Sequence, residues 1–400
     1  MKILYISYNG ALEPLLQSQG IPYIMGVHRN GHQFHIMTFE PGKSIGRRAP
    51  AFLNMKNSLS GAGISWTPLH FHSWPGFIAK AYDLLTGAVV SFILSVKFKP
   101  DAIHARGLFS ALVALPAASV LKKPVIFDMR SKLSEAYAIS GKWRDGGAVS
   151  RLMSSLEDRC LRRAAAVIVE TTEHKREVEE FLAGNRTRKP VEVIPCCVDL
   201  ERFKDARKIA GRAPEFMIAY LGSLSGWYCL EETVRFFEKL SRTIPGSKMI
   251  FLTKDDPKSI LKYLKDSNIP DGAVTITGVA PGMVPERLAR STAGILFKYP
   301  NRRLSSFPVK IGEYLAAGIP VIINRGMGDV EDFVLGNGVG VAVDGFDDGA
   351  FDKGIAALIA LAKDKDIVEK CFTAARKLST EIGVQKYLGV YELIERKTAA

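Results

Sequence analysis

Ser305-Ser-Phe-Pro-Val-Lys-Ile-Gly-Glu-Tyr-Leu-Ala-Ala-Gly-Ile-Pro-Val-Ile-Ile-Asn324 joins a short helix to a buried strand. Pro308 suits the first turn of that helix, where a missing N–H is no loss. Gly318 and Pro320 end it before the apolar run that starts at Val321. A helix entered this way turns free N–H groups and a positive dipole end toward whatever lies in front of it, an arrangement that suits a phosphate. Lys310, on the first turns, adds a fixed cation. Glu313, about one turn in, is placed to accept hydrogen bonds from the two hydroxyls of a ribose. Without further context, Lys310 and Glu313 are equally an i, i+3 pair on a surface helix.

Working outward, strand-like runs alternate with longer amphipathic segments along most of the chain. The first series is 3–7, 34–39, 64–68, 102–104, 125–127, 166–169 and 191–194; the second is 216–221, 249–252, 274–276, 294–297, 321–324 and 340–343. Short apolar strands with helical crossovers predict parallel sheets covered on both faces. Helices are expected over 148–163 and 173–182, and the segments 351–361, 367–380 and 383–395 read as helices with no strand between them. The fold class is therefore α/β: two Rossmann-like parallel-sheet domains and a C-terminal helical tail. Linker composition over 204–214 sets the expected domains at 1–204 and 205–380, with 381–400 crossing back to the first. Open parallel sheets bind ligands at the carboxyl ends of their strands, so an interdomain cleft is the expected site.

The composition excludes several classes. The chain has 400 residues, 47% of them hydrophobic and 24% charged, which fits globular domains and not disorder. Five cysteines with no C-x-x-C pair point to neither a disulfide framework nor a zinc site. The N-terminus lacks the features of a signal peptide. The longest uncharged apolar stretch, 84–96, is 13 residues, short of the roughly 20 that span a bilayer, so it is expected to be a helix and not a span. The net charge is +13, and residues 1–132 hold 14 basic against 5 acidic side chains. Without an RNA-binding signature, that excess favours an anionic membrane surface or a phosphorylated ligand over nucleic acid.

The 305–324 segment resembles the nucleotide-sugar site of retaining glycosyltransferases with the GT-B fold, those of group 1 or family 4 type. Other marks follow in the family's order: Gly31-His32, Lys99-Pro-Asp-Ala-Ile-His104, Val193-Ile-Pro-Cys-Cys-Val-Asp-Leu-Glu-Arg-Phe203, Ala219-Tyr-Leu-Gly-Ser-Leu224 and Val284-Pro-Glu-Arg-Leu-Ala289. Two departures stand out. Ser305 occupies the place of the first glutamate of the family's pair, which bears on the choice of sugar. Ser223 and Tyr228 stand where many relatives carry an Arg and a Lys for the diphosphate, leaving Lys310, Lys254 and Lys298 as candidates for that charge.

The resemblance implies an enzyme of the glycosyltransferase class (EC 2.4), moving a sugar from a nucleotide diphosphate to a hydroxyl acceptor with retention. No cofactor is expected, the nucleotide sugar being a substrate, and no metal. Donor contacts are expected from Glu313, Lys310, Gly222, Ser223, Ser305, Ser306 and Lys254, with backbone at Gly278 and Val279 on the base. On the acceptor side, His104, Arg106, Asp128 and Arg130 follow strands of the first sheet, and Gly10 follows its first strand. Asp128 stands where relatives often have a His and is expected to orient or deprotonate the acceptor hydroxyl, with His104 and Arg130 as the other catalytic candidates; a strand-end Asp128/Arg130 salt bridge and a packed His104 are the structural alternatives. Asp364-Lys-Asp366 reads as a helix cap. The expected setting is cytoplasmic, peripheral on the inner face of the plasma membrane, with a polyprenyl-phosphate-linked glycan acceptor of bacterial polysaccharide synthesis. A nucleotide-sugar epimerase on the same fold and a catalytically silent nucleotide-sugar binder are the open alternatives.

Overall fold

The computed structural model describes residues 1–42, 50–139, 144, 146–211, 215–224, 226–299 and 306–399. The chain forms two compact units, Met1–Pro195 with Thr380–Ala400, and Cys196–Ser379. This division lies upstream of the 204/205 seam suggested by linker composition. The Val198 N–H donates to the Leu378 carbonyl at 2.8 Å and Val198 bridges Ser379, which ties the stretch after Pro195 into the second unit.

In the first unit, β1 (Lys2–Ser7), β2 (Gln33–Pro41), β3 (Ser65–Phe71), β4 (Ala102–Arg106), β5 (Val125–Asp128), β6 (Ala166–Val169) and β7 (Val191–Val193) form one sheet in the order β3-β2-β1-β4-β5-β6-β7. Every pairing is parallel. Strands such as Ile3-Leu-Tyr-Ile6 are buried throughout because helices cover both faces. The strand order reverses between β1 and β4, the place where open α/β sheets bind ligands.

The second unit repeats the plan with β8 (Met217–Leu221), β9 (Lys248–Leu252), β10 (Val274–Thr277), β11 (Ala293–Leu296), β12 (Val321–Asn324) and β13 (Gly340–Val343), all parallel in the order β10-β9-β8-β11-β12-β13. Its reversal lies between β8 and β11. The expected helix of the 305–324 segment is Val309–Ala316, with Pro308 at its N-cap. Tyr314 fixes it to the sheet: its hydroxyl accepts the Leu221 N–H at 2.8 Å and donates to the Ile295 carbonyl at 3.2 Å. Gly294 makes room for that ring, since a Cβ there would lie 2.5 Å from it.

The apolar 84–96 run is part of a longer helix, Gly76–Phe98, which at 23 residues is long and apolar enough to cross a membrane. The run looked short because Lys80 and Asp83 interrupt it in sequence without ending the helix. Asp83 is buried and accepts the His72 N–H at 2.9 Å and the Tyr8 hydroxyl at 3.3 Å, while the Lys80 ammonium lies 4.4 Å from the centre of the Phe109 ring. At Gly87 the helix presses on the sheet so closely that a Cβ would meet Phe39 at 2.6 Å.

Candidate functional site

In the second unit the chemistry gathers at the strand reversal. Lys310 is 7% exposed, and its ammonium has no hydrogen-bond partner among the described residues. It lies 3.7 Å from the centre of the Tyr228 ring and 5.2 Å from that of Tyr220. Gly222, just after β8 with φ +107°, leaves it room, since a Cβ there would lie 3.0 Å from Nζ. Burial lowers the Lys310 pKa to about 7, with Glu313 and Asp255 pulling the other way. A buried cation with no hydrogen bond or ion pair among the described residues is poorly satisfied. Its ammonium therefore stands against Gly222 and Tyr228, in the very loop where the resemblance expects the missing basic residues.

Glu313 is half-buried on the same helix, and burial raises its pKa although Arg202 and Lys310 pull it down. No ion pair joins it to Lys310 among the described residues, so the two are not the ordinary surface pair. The helix cap is Pro308, which offers no side-chain acceptor to the first N–H groups. Lys298, after β11, is 7% exposed and donates to the Ser306 hydroxyl at 2.8 Å; it is not a solvent-facing loop lysine. Ser223 donates to Asp255 at 2.6 Å, so its hydroxyl is engaged in the unliganded chain. Lys254 is exposed after β9, and Gly278 and Val279 follow β10, on the sheet's edge strand. Ser305 lies outside the described residues. Asp364 bonds Lys370 at 2.6 Å and the Asp366 N–H at 2.9 Å, a local turn in the tail.

In the first unit Asp128, at the end of β5, is the hub of a buried polar network. Its carboxylate accepts from Arg106 at 3.1 Å, Tyr387 at 3.0 Å and Arg130 at 3.5 Å, and stands 3.5 Å from His104 Nε2. Burial pushes its pKa up, but Arg130, Arg106 and His104 outweigh that and hold it well below the usual carboxylate range. His104 is fully buried; burial pushes its pKa down, and its Nδ1 shares a 2.8 Å hydrogen bond with Tyr391. Arg106 reaches Gln19 at 3.4 Å, and Arg130 pairs Glu170 at 2.9 Å. His104, Arg106, Asp128 and Arg130 are thus brought together, in an arrangement that fixes strand ends and the last helix, Thr380–Ala399. Gly10 stands apart from them, against the Glu40 carboxylate, which is itself held by the Ala11 N–H and the Thr38 hydroxyl, each at 2.6 Å.

Residues 24–202 match the family described as Glycosyltransferase Family 4. The sucrose-phosphate synthase of Thermosynechococcus elongatus superposes with a TM-score of 0.72 at 16% identity, covering 99% of this chain and 100% of its own. Anabaena Alr3699/HepE, solved with UDP and glucose, gives 0.65 at 14% identity over 98% and 99% of the two chains. The UDP-forming α,α-trehalose-phosphate synthase of Burkholderia vietnamiensis gives 0.67 at 13% identity over 97% and 99%. The chain has the GT-B fold. No curated protein matches it by sequence.

Several residues that shape this GT-B fold escaped the sequence reading. Glu40 lies in an apolar strand, yet is fully buried beside the first strand's loop. Tyr387 and Tyr391 reach the hub from the far end of the chain, and their four-residue spacing on a helix was the available signal. Tyr228 was read as a lost lysine; its ring instead faces a lysine supplied from another element.

Proposed function

We propose that the second unit binds a nucleoside diphosphate sugar and that the enzyme transfers the sugar, with retention, to a hydroxyl of a lipid-linked glycan in bacterial polysaccharide synthesis, at the cytoplasmic face of the membrane. The observation that carries this reading is the buried Lys310 ammonium beside Gly222, without a hydrogen-bond partner among the described residues, one turn from a half-buried Glu313. A diphosphate supplies Lys310 with a directly bonded counter-charge, and ribose hydroxyls supply donors to Glu313. Uridine diphosphate is the proposed nucleotide, supported by the UDP-bound and UDP-forming structures of the same fold.

In the transfer, the bond from the anomeric carbon to the diphosphate oxygen breaks while the acceptor oxygen bonds that carbon on the same face. The acceptor proton passes to the departing diphosphate, so no protein nucleophile is needed. Lys310 and the helix N–H groups stabilise the charge that develops on the leaving group. Asp128, closed in by four partners, is assigned here to holding the strand ends in place, with the acceptor presented by the first unit.

Glu313→Ala is expected to weaken UDP binding by about 1.5–3 kcal/mol for each hydrogen bond lost. Titration calorimetry on the folded variant checks this, and unchanged affinity removes the site assignment. Turnover is expected to persist in EDTA, because Lys310 and the helix terminus neutralise the diphosphate. Loss of activity restored by magnesium or manganese counts against that part. Transferred sugar detected on an acceptor separates the proposal from epimerisation and from silent binding.

A further inference from the structure

The helix Gly76–Phe98 is amphipathic the wrong way round for a soluble protein. Its inward stripe is Ala79, Asp83, Gly87, Ser91 and Ser95, small or polar and buried on the first unit. Its outward stripe is Ile78, Tyr82, Leu85, Val89, Ile93 and Val96, of which Ile78 is 73% and Leu85 70% exposed. Successive members of each stripe are three or four residues apart, so each is one face of the helix. Trp74, 84% exposed, and Phe77 extend the apolar face at its N-terminal end.

The surroundings carry one sign of charge. From Trp74 to Lys123 the only acidic residues are Asp83 and Asp101, and both are engaged, Asp83 within the fold and Asp101 on the Lys2 N–H at 2.7 Å. Lys97, Lys99 and Lys122 are exposed. The helix packs on Leu108–Leu121, which packs in turn on Ala148–Arg163. Between those last two an open groove of about 230 Å³ has Leu112, Pro116 and Leu156 in its wall and Arg159 and Arg163 beside them. Apolar surface with basic side chains around it is complementary to an anionic bilayer, acyl chains meeting the stripe and headgroups the lysines and arginines.

We propose that this face, centred on the helix Gly76–Phe98, docks on an anionic lipid bilayer with the helix lying in the interfacial plane. Although long enough to cross, the helix is held to its own unit: Asp83 bonds His72 and Tyr8, and Gly87 sits against Phe39. The surface deepens the reading of a lipid-linked acceptor, but its test needs neither donor nor acceptor, so failure of one is distinguishable from failure of the other.

The test is flotation of the full chain with phosphatidylcholine vesicles, with and without phosphatidylglycerol. Binding is expected to anionic vesicles at low salt, to weaken as salt rises, and to be released by alkaline carbonate. Leu85→Glu/Val89→Glu, at exposed positions, is expected to cut partition by about tenfold or more while melting temperature and UDP affinity stay unchanged. Lys97→Gln/Lys99→Gln is expected to cut it by about fivefold per lysine, on anionic vesicles only. No binding to anionic vesicles at low salt overturns the proposal. So does a stripe variant that binds like the wild type, resistance to carbonate extraction, or a dimer that the stripe variant dissolves while vesicle binding is unaffected.

Discussion

Lys310→Met is expected to weaken UDP binding by about 10–100-fold, the range of one lost charge-assisted contact, while making the unliganded chain about 1–3 kcal/mol more stable at neutral pH. The two effects have one cause. The ammonium is buried with no hydrogen-bond partner among the described residues, and burial lowers its pKa to about 7, so folding without ligand favours the neutral amine. The unfolded chain binds the proton more tightly than the folded one between about pH 7 and pH 10.5. Stability of the unliganded chain therefore rises with pH across that window. The proposed diphosphate would reverse the preference by giving the charged form its counter-ion. At pH 8 binding should take up about one proton, and affinity should fall by up to about tenfold per pH unit above 7. Calorimetry in buffers of differing ionisation enthalpy reads the proton directly. A variant that loses affinity but keeps the wild-type proton uptake assigns the titration to another group.

Asp128→Ala is expected to cost about 3–5 kcal/mol of stability, because it leaves the Arg106 and Arg130 guanidinium groups buried beside an empty position. Tyr387→Phe, which removes a single donor to the same carboxylate, should cost only about 1 kcal/mol. Since the folded chain holds Asp128 below the usual carboxylate range, its contribution is fully present above about pH 4 and is lost as pH falls through the lowered folded value. Urea unfolding of wild type and both variants measures these differences. An Asp128→Ala protein of wild-type stability that no longer transfers sugar would show the carboxylate acting in the reaction instead.

The architecture was legible because its signals are local. Each of the thirteen strands among the described residues lies close to its expected position, and Pro308, Gly318 and Pro320 frame the helix that carries Lys310 and Glu313. What stayed hidden is long-range. Nothing near Asp128 in sequence announces Tyr387, and nothing near Tyr228 announces the cation over its ring. The helix Gly76–Phe98 was misjudged in length for a related reason: a charge that breaks an apolar run in sequence can face inward and be satisfied by groups from elsewhere, as Asp83 is.

The first unit is built from both ends of the chain, with the second unit contiguous between them. That arrangement sets an order of events during synthesis. Residues 196–379 can fold as soon as they have left the ribosome, while the Asp128 carboxylate waits for Tyr387, 259 positions downstream. At typical elongation rates the wait is roughly 10–50 s. Throughout it, the buried charges of the hub lack one of their partners, and the surface later covered by Thr380–Ala399 is open to chaperones, to proteases and to other nascent chains.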